Sequence, residues 1–306
     1  MNQAPLVSIL IPTHRANLLK HSLASALSQT YSNTEIIISD NSESDDIRQM
    51  CQNYSQVRYY RNPRPTKTDF WMNVENPLQH AKGTFIKYLF DDDLLFPNCI
   101  DTMTGQLNRL DSKVAERVAL VFSSRHVIDD NGITYDRWAV NSEKHPCLMS
   151  GPNLIRTILM NCSNPVGELS TVLFRNPYNE NWRDKDLFRY GNVTAEFGLI
   201  DVAMYLRLLE TGDALYLPFD LSAFRRHENG ASNPATNPLF VNAITDWFFL
   251  MREAYLRGIL DNDSAFQAVS YYITVAQRFD SLYPIRISEV HQEALSLLKN
   301  ISDMRN

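Results

Sequence analysis

The sequence predicts an α/β fold in which helices flank a mostly parallel sheet, followed by a helical region at the C-terminal end. Over the first third of the chain, short apolar runs of strand length alternate with segments whose apolar residues recur at helical spacing. Polar residues follow directly after several of these runs. From about residue 238 the apolar residues form stripes at helical spacing. We therefore expect an α/β domain over residues 1–235 and a helical region over residues 236–306.

The first part of the chain is predicted to contain four strands alternating with four helices. Leu6 to Ile11 is a near-continuous apolar run, which is typical of a strand buried on both faces of a parallel sheet. Gly83 ends the third helix, and the chain then enters the strand before Asp91. This β-α-β order predicts parallel strands joined by right-handed crossovers. The expected strands are 6–11, 35–39, 57–61 and 85–90, and the expected helices are 17–29, 45–54, 70–82 and 98–110.

The remainder of the chain is expected to add further strands and helices. A turn at residues 129–132 is predicted to close a hairpin, and residues 176–193 are expected to form a long loop. An apolar stripe that includes Trp247 and Phe248 predicts a helix that packs on its neighbours. The alternative is that these aromatics are exposed and meet a membrane, a lipid-linked acceptor or a second subunit. The expected strands are 117–124, 133–138, 170–175 and 214–218, and the expected helices are 154–160, 199–209, 240–255, 264–279 and 288–299.

The composition is that of an ordinary globular protein and excludes several classes of function. Of the 306 residues, 44% are hydrophobic, and the formal net charge is −6. A large nucleic-acid surface needs clustered Lys and Arg, so we expect no nucleic-acid partner. The four cysteines are scattered without a CxxC pair, which predicts free thiols in a reducing compartment and no zinc site. We find no pattern of a signal peptide or a membrane-spanning segment, and we therefore expect a cytoplasmic protein.

Three adjacent carboxylates, Asp91, Asp92 and Asp93, stand between two hydrophobic segments in the stretch FIKYLFDDDLLFP. Adjacent like charges are costly unless they are solvated or share a cation. Because hydrophobic residues hold both flanks, the triplet can present oxygen ligands to a hard divalent cation such as Mg²⁺ or Mn²⁺. An acidic turn that caps the following helix is the alternative. Thr13, Asp40 and the triplet each follow a strand, so in a parallel sheet they converge on the edge where ligands bind.

Three spaced motifs occur in order along the first third of the chain: VSILIPTHR, SLASALSQTYSNTEIIISDNSESD and AKGTFIKYLFDDDLLFP. Together they resemble the family 2 glycosyltransferases, whose GT-A fold is a Rossmann-like, mostly parallel sheet flanked by helices. The resemblance is close over the first third and continues weakly to about His227. It implies a metal-dependent, inverting transferase that moves a sugar from a nucleoside diphosphate donor to a hydroxyl group.

The resemblance implies a nucleotide site at the ends of the first two strands. Pro12, Thr13 and Arg15 fall in the motif that contacts the nucleotide in this family. Asp40 matches the aspartate that accepts a hydrogen bond from the pyrimidine N3–H. This acceptor favours a UDP- or dTDP-sugar, because N3 of cytosine carries no proton. The alternative for Asp40 is a strand-end cap for the next helix.

The resemblance also assigns the acidic triplet to the diphosphate and its metal. The family pattern D-x-D-D aligns with Phe90 to Asp93, so a phenylalanine replaces the first acid. Asp92 would be the direct ligand of Mn²⁺ or Mg²⁺. Asp91 or Asp93 would support the site without binding the metal directly, or would contact the ribose. Asp93 and His227 are further candidate metal ligands. The cation would neutralise charge on the departing diphosphate.

The predicted helix at 199–209 carries the expected catalytic base. The segment LIDVAMYLRLLETG resembles the family pattern E-D-x-x-L-x-L-R-L-L-x-x-G, so Asp201 matches the base and Ile200 replaces the glutamate. The helix dipole stabilises a carboxylate in the first turn, and a base there would deprotonate the acceptor hydroxyl. The alternative is a helix-terminal acid without a chemical role.

Two further segments complete the implied site. FRRHENGAS resembles the family tail Y-R-x-H-x-x-S, in which Arg225, Arg226 and His227 would contact the diphosphate or its metal. A solvated basic loop is the alternative for this segment. Glu168 lies where the family often places contacts to the acceptor.

The expected function is sugar transfer from a UDP-sugar to a glycan or lipid-linked acceptor in the synthesis of a surface polysaccharide. A peripheral contact with the inner membrane face, or a homodimer through the C-terminal helices, is a further expectation. One alternative is a non-catalytic nucleotide-sugar binding protein, which the changes at Phe90 and Ile200 would favour. The other is a nucleotidyltransferase, which would need a Gly- and Lys/Arg-rich loop that PTHRANLL lacks.

Overall fold

The computed structural model describes residues 4–62, 70–140, 143–178, 187–227 and 233–305. The chain forms two compact units, each assembled from three segments. The first unit contains Met1–Leu148, Val166–Lys185 and Asp213–His227, and the second contains Met149–Pro165, Asp186–Gly212 and Glu228–Asn306. The domain boundary near residue 235 stays a prediction, because the chain passes between the units several times. Residues 179–186 of the expected loop and residues 228–232 of FRRHENGAS lie outside the described residues.

The strands and helices are numbered in chain order, and those of the N-terminal third agree closely with the predicted ones. The strands are β1 (Val7–Thr13), β2 (Thr34–Asp40), β3 (Val57–Arg61), β4 (Phe85–Tyr88), β5 (Leu94–Leu95), β6 (Val118–Ile128), β7 (Thr134–Trp138), β8 (Cys147–Met149), β9 (Val172–Arg175), β10 (Arg189–Tyr190), β11 (Val193–Thr194) and β12 (Asp213–Arg225). The helices are α1 (Ala16–Leu27), α2 (Asp46–Cys51), α3 (Phe70–Glu75), α4 (Cys99–Asn108), α5 (Ser112–Arg117), α6 (Gly151–Met160), α7 (Ile200–Leu209), α8 (Phe240–Leu256), α9 (Asn262–Gln277) and α10 (Pro284–Arg305).

One predicted helix is shorter than expected for a local reason. The helix expected over 70–82 ends at Glu75, and a 3₁₀ helix follows over Asn76–His80. Pro77 lies at the start of this 3₁₀ segment. Proline cannot donate the backbone hydrogen bond that would continue the α-helix, and its ring crowds the preceding turn.

The first unit is built around one mixed sheet. Its strands follow the order β3-β2-β1-β4-β9-β6-β12-β5, and β7 pairs with β6 beside this path. The neighbours β3, β2, β1 and β4 are parallel, as their alternation with helices predicts. β9 is antiparallel to both β4 and β6, and β5 is antiparallel to β12. The expected hairpin of β6 and β7 is also present.

The packing of β1 explains how the strand ends are positioned. All seven residues of β1 are buried, and its isoleucines join one apolar cluster with Leu19 and Leu23 of α1. Each fully buried side chain of this kind stabilises the fold by about 1.5–3 kcal/mol relative to an exposed one. Thr13 pairs in parallel register with Asp40. The core therefore holds both polar residues at the same edge of the sheet.

Two strands extend further than the apolar pattern predicts. β6 has 11 residues and β12 has 13, and they pair in parallel with register shifts between Leu217 and Asp220. Their polar residues are buried in specific pairs, such as the hydroxyl groups of Ser124 and Tyr216 at 2.7 Å. Because such polar positions resemble a loop in the sequence, the extension was not expected. It carries Arg225 to the edge where the acidic triplet lies.

The second unit contains α6 to α10 and the short hairpin of β10 and β11. Trp247 and Phe248 of α8 are 9% and 0% exposed, so the idea that these aromatics are available to a membrane or partner is wrong. Phe248 stacks on Tyr272 of α9, with ring centroids 5.7 Å apart. Exposed apolar side chains occur instead at Leu282, between α9 and α10, and at Ile285, in the first turn of α10. Within the described residues, no helix has the length and apolar character needed to cross a membrane.

Candidate active site

Asp91 joins the acidic triplet to the end of β1. Its Oδ2 accepts hydrogen bonds from Thr13 Oγ1 (2.9 Å), the His14 amide nitrogen (3.3 Å) and Arg15 Nε (3.3 Å). Arg15 Nη2 also pairs with Asp91 Oδ1. Asp91 is buried, so these donors replace its hydration. The structure therefore brings together three predicted site residues, and Asp91 holds the loop after β1 against the triplet.

Asp92 is the accessible member of the triplet. Its side chain is 20% exposed, and its Oδ2 lies 2.8 Å from Arg15 Nη2 and 3.2 Å from His227 Nε2. Burial disfavours the charged form of Asp92, but the hydrogen bond with His227 and the charge of Arg15 outweigh it and lower the pKa of Asp92. Asp92 is therefore an ionised carboxylate, which is the form that a cation site requires.

His227 lies between two carboxylates. Its Nε2 faces Asp92, and its Nδ1 is hydrogen-bonded to Asp130 in the turn between β6 and β7. The hydrogen bond with Asp92 is the largest influence and raises the pKa of His227, and the one with Asp130 adds to it against an opposing effect of burial. Because Asp130 holds one ring nitrogen, the other is oriented toward Asp92.

Asp93 has a different environment from its neighbour. It is 1% exposed, and its Oδ1 accepts a hydrogen bond from the Arg225 amide nitrogen at 3.0 Å. Burial, followed by the charges of Asp92 and Glu168, raises the pKa of Asp93 well above its usual value. A carboxyl group that favours its neutral form is a poor cation ligand. The role of Asp93 as a metal ligand stays a prediction, with less support than that of Asp92.

The guanidinium group of Arg225 donates hydrogen bonds to backbone oxygens of the protein. Its Nε donates to the backbone oxygen of Asp92 (2.9 Å), and its Nη1 donates to those of Asp129 (2.7 Å) and Asp130 (3.1 Å). Arg225 is 6% exposed. It therefore ties the β6–β7 turn to the triplet, whereas the Arg226 side chain is exposed. Contacts of these two arginines with a diphosphate stay predictions.

The side chains at Asp92 are of the types that bind a divalent cation. Asp92 Oδ2 and His227 Nε2 are hydrogen-bonded at 3.2 Å, so His227 would have to release its Nε2 proton to bind the ion. Among the described residues, no group of three or more His, Cys, Asp or Glu side chains could hold a metal ion. Mg²⁺ commonly combines one or two carboxylates with substrate phosphates and water. Asp92 and His227 would therefore hold the ion together with a bound diphosphate.

Asp40 is fully buried at the end of β2 and is held by three donors. Its Oδ1 accepts from the Ser42 amide nitrogen (2.7 Å), and its Oδ2 accepts from Tyr59 Oη (2.7 Å) and Arg61 Nη2 (3.1 Å). Asp45, not Asp40, occupies the N-cap of α2. The alternative of a helix cap therefore does not describe Asp40. Pro12, also predicted in the nucleotide site, is buried in β1 next to Thr13.

The sequence reasoning missed three residues that support this edge of the sheet. Tyr59 and Arg61 both donate to Asp40, and Asn73 Nδ2 donates to the backbone oxygen of Thr13 at 3.1 Å. The spacing of 59 and 61 in VRYYR places both side chains on one face of β3, which is a usable signal. Asn73 has no comparable signal, because its contact depends on where α3 packs.

Glu168 belongs to a buried charged group behind the triplet. Its Oε2 lies 2.8 Å from Arg125 Nε on β6. Burial raises the pKa of Glu168, and the charges of Arg125 and Lys87 oppose this effect. Lys87 is fully buried and donates to the backbone oxygens of Ser170 and Val172, the latter at 3.3 Å. A contact between Glu168 and an acceptor stays a prediction.

Asp201 lies in the second unit, in the first turn of α7. Its Oδ2 accepts a hydrogen bond from Asn164 Nδ2 at 2.8 Å, and its Oδ1 accepts one from the Val202 amide nitrogen at 2.8 Å. These donors and the helix dipole stabilise the carboxylate charge and orient the group. Asp201 therefore lies at a helix N-terminus, as predicted.

Asp246 of α8 supports the same helix from a distance in sequence. Its Oδ2 accepts a hydrogen bond from the Leu199 amide nitrogen at 3.0 Å, directly before α7. Burial raises the pKa of Asp246 to about 6. Since Leu199 has no capping side chain of its own, Asp246 supplies an acceptor that the start of α7 needs.

Comparison with known sequences agrees with the motifs. Residues 8–139 match the family described as Glycosyl transferase family 2. A relative from Campylobacter jejuni, named GalNAc(5)-diNAcBac-PP-undecaprenol beta-1,3-glucosyltransferase, is 33% identical over 109 residues, which are 34% of this chain and 35% of that protein. The matched region spans about a third of the length of this relative and of other curated relatives (34%).

Two solved structures share the fold over most of the chain. Residues 1–349 of S. aureus TarS in complex with UDP-GlcNAc have a TM-score of 0.62 and 14% identity, covering 96% of this chain and 81% of the solved chain. GalNAc-T7, solved with UDP, GalNAc and Mn²⁺, has a TM-score of 0.55 and 13% identity, covering 82% of this chain and 48% of that one. The fold is therefore the GT-A fold, as predicted.

Proposed function

We propose that this chain, which belongs to glycosyl transferase family 2 through its residues 8–139, is an inverting, metal-dependent sugar transferase. Its donor would be a UDP- or dTDP-sugar, and its acceptor a hydroxyl group of a glycan or lipid-linked glycan in surface polysaccharide synthesis. The observation that carries the proposal is the meeting of Thr13, Arg15 and the ionised Asp92 at the carboxyl edge of parallel strands, next to Asp40 in register.

On this proposal, the edge of the sheet binds the nucleotide. Asp40, held by Tyr59 and Arg61, would accept the N3–H of uracil or thymine. Asp92 and His227 would hold a Mn²⁺ or Mg²⁺ ion, which supplies charge neutralisation for the departing diphosphate. Arg15 adds a permanent positive charge beside the same carboxylates.

Asp201 would be the general base for the acceptor. Its carboxylate, oriented by Asn164, would take the proton of the acceptor hydroxyl as that oxygen forms a bond to the anomeric carbon of the donor sugar. The bond from the anomeric carbon to the diphosphate oxygen breaks on the opposite side, so the configuration inverts. The nucleoside diphosphate leaves with the electron pair of that bond.

The acceptor assignment draws on the Campylobacter jejuni relative, whose name includes an undecaprenol-linked acceptor. A lipid-linked acceptor would place the protein at the inner face of a membrane as a peripheral protein. Leu282, just before α10, and Ile285, in its first turn, are 53% and 77% exposed and offer apolar side chains for such a contact. The same side chains would serve a homodimer as the alternative.

The test is release of the nucleoside diphosphate from a set of UDP- and dTDP-sugars with Mn²⁺ or Mg²⁺, with undecaprenyl-diphosphate-linked sugar as acceptor. We expect Asp201→Asn to slow turnover by about 10²–10⁴-fold while UDP affinity is retained, and Asp92→Asn to weaken metal-dependent UDP binding. Asp280→Asn, an exposed aspartate of the second unit, is the matched control and should not change either quantity.

The alternatives give different results in the same experiment. Tight binding of a nucleotide sugar without turnover of any donor would favour a binding protein. Release of diphosphate from a nucleoside triphosphate and a sugar phosphate would favour a nucleotidyltransferase. Either result would overturn the transferase proposal.

A further inference from the structure

One guanidinium nitrogen of Arg15, just after β1, contacts two carboxylates of the acidic triplet. Arg15 Nη2 contacts both Asp91 Oδ1 and Asp92 Oδ2, the latter at 2.8 Å. We propose that Arg15 is an exchangeable counter-ion for Asp92, which keeps divalent cation binding weak until a diphosphate draws the guanidinium away. The nucleotide and the cation then bind with positive coupling. This inference rests on the proposed nucleotide site and adds the order in which its charges are exchanged.

The contact with Asp92 competes directly with a cation. Asp92 Oδ2 is the carboxylate oxygen that His227 also approaches, at 3.2 Å, so it is the oxygen placed to share an ion with the imidazole. Arg15 Nη2 donates a hydrogen bond to that same oxygen. A guanidinium and a divalent cation repel each other and need the same lone pairs. A cation at Asp92 Oδ2 would therefore compete with Arg15 for this oxygen.

The side chain of Arg15 can leave Asp92 without disturbing the fold. Its backbone oxygen accepts hydrogen bonds from the Leu18 and Leu19 amide nitrogens at the start of α1 (3.2 and 3.0 Å). Its Nε keeps a separate contact with Asp91 Oδ2 at 3.3 Å. The side chain is 32% exposed. Rotation of the terminal group would therefore release the Nη2 contacts with both Asp91 and Asp92, while the backbone contacts and the Nε contact with Asp91 Oδ2 hold the residue in place.

A diphosphate can compete with a carboxylate for a guanidinium group. Arginine binds phosphate oxygens with paired hydrogen bonds as well as charge. Thr13, whose Oγ1 also bonds Asp91 (2.9 Å), places this arginine at the edge where the nucleotide would lie. If the guanidinium moved to a phosphate, Asp92 would lose this counter-ion. Asp92 and His227 would then hold the cation, which would supply charge neutralisation for the diphosphate.

The test is Mn²⁺ binding measured by electron paramagnetic resonance, with and without UDP, and without donor turnover. In the unchanged protein we expect weak Mn²⁺ binding alone and a gain of about 5–150-fold with UDP, the usual range for coupled sites. In Arg15→Gln, Mn²⁺ alone should bind at least about fivefold more tightly, and the gain with UDP should shrink. Arg15→Lys, which keeps the charge on a different donor geometry, should lie between them.

Arg137→Gln is the matched control. It removes one positive charge from an arginine paired with an aspartate, Asp220 (2.7 Å), in the same unit, so it tests for a general change in charge. It should leave Mn²⁺ binding unchanged. If Arg15→Gln and Arg15→Lys bind Mn²⁺ alone no more tightly than the unchanged protein, the inference is overturned. If the unchanged protein binds no UDP with Mn²⁺ present, the proposed function fails instead.

Discussion

At the residue scale, Asp40 is a buried side chain whose carboxylate oxygens are held in place by hydrogen bonds. Its three donors come from two neighbouring segments: Ser42 directly after β2, and Tyr59 and Arg61 on β3. These donors replace the hydrogen bonds to water that the buried carboxylate loses. The donors therefore keep an acceptor in place at the edge of the sheet before any nucleotide binds.

Asp40→Asn is expected to change nucleobase selectivity. A carboxylate only accepts a hydrogen bond, whereas an amide can accept from N3–H of uracil or donate to N3 of cytosine. UDP affinity should fall by about tenfold or more, since hydrogen bonds to a charged group contribute about 1.5–3 kcal/mol. The preference for UDP over CDP should also shrink. Isothermal titration calorimetry with both nucleotides measures the two effects.

Tyr59→Phe is the matched variant for this prediction. It removes one donor to Asp40 and leaves the carboxylate in place, so the UDP preference should be retained even where affinity falls. An unchanged ratio of UDP to CDP affinity in Asp40→Asn would show that Asp40 does not read the base.

At the element scale, the start of α7 depends on a residue 47 positions away. Asp246 of α8 accepts the Leu199 hydrogen bond, and Asp201 lies two residues further along. Gly198 allows the close approach, because a Cβ there would lie 2.0 Å from Asp246 Oδ2. Packing of α8 therefore supports the helix that carries the proposed base.

Asp246→Asn is expected to stabilise the protein in a pH-dependent way. The pKa of Asp246 rises from 3.8 to about 6 on folding, so the folded state binds the proton more tightly and the charged form opposes folding above pH 6. Removing the charge should raise stability at pH 7.5 by at most about 3 kcal/mol, from 1.36 kcal/mol per pKa unit. The gain should fade between pH 6 and 4. Thermal unfolding across this pH range provides the measurement.

The control for Asp246→Asn is Asp280→Asn. Asp280 is exposed in the same unit, so its neutralisation should have little effect on stability at either pH. A lower unfolding temperature for Asp246→Asn at pH 7.5 would mean that the charge on Asp246 supports α7 more than its burial opposes folding.

At the scale of the whole molecule, the exposed apolar residues indicate where a larger partner could bind. Leu282 and Ile285 lie three positions apart with Arg278 and Arg286 close in sequence. Apolar side chains next to basic ones are typical of surfaces that contact anionic lipids. A peripheral membrane contact of the proposed enzyme is therefore best tested at Leu282 and Ile285.

The double variant Leu282→Ser/Ile285→Ser is expected to weaken binding to vesicles of anionic lipid. Burial of a leucine or isoleucine contributes about 1.5–3 kcal/mol, so loss of two should lower vesicle binding by about tenfold or more in cosedimentation. Leu148→Ser, at an exposed leucine of the first unit, is the control. A change in oligomeric state without a change in vesicle binding would assign this surface to a homodimer.

Short-range patterns in the sequence were enough to predict most elements of the first third and the order of their polar ends. The apolar runs before Thr13, Asp40 and Asp91 are local patterns, and parallel pairing then places such ends at one edge. The motifs likewise showed the resemblance to the family whose model matches residues 8–139. These features were predictable because they depend on short-range periodicity and on spacing along the chain.

Tertiary structure alone decided how the site is charged and what supports it. Nothing local distinguishes Asp92, accessible and ionised, from Asp93, buried with a raised pKa. The pairing of Arg15 with Asp92 joins residues 77 positions apart, and Trp247 and Phe248 are buried although their stripe alone left exposure open. Burial and long-range charge contacts arise only when distant segments pack, so the sequence pattern cannot specify them.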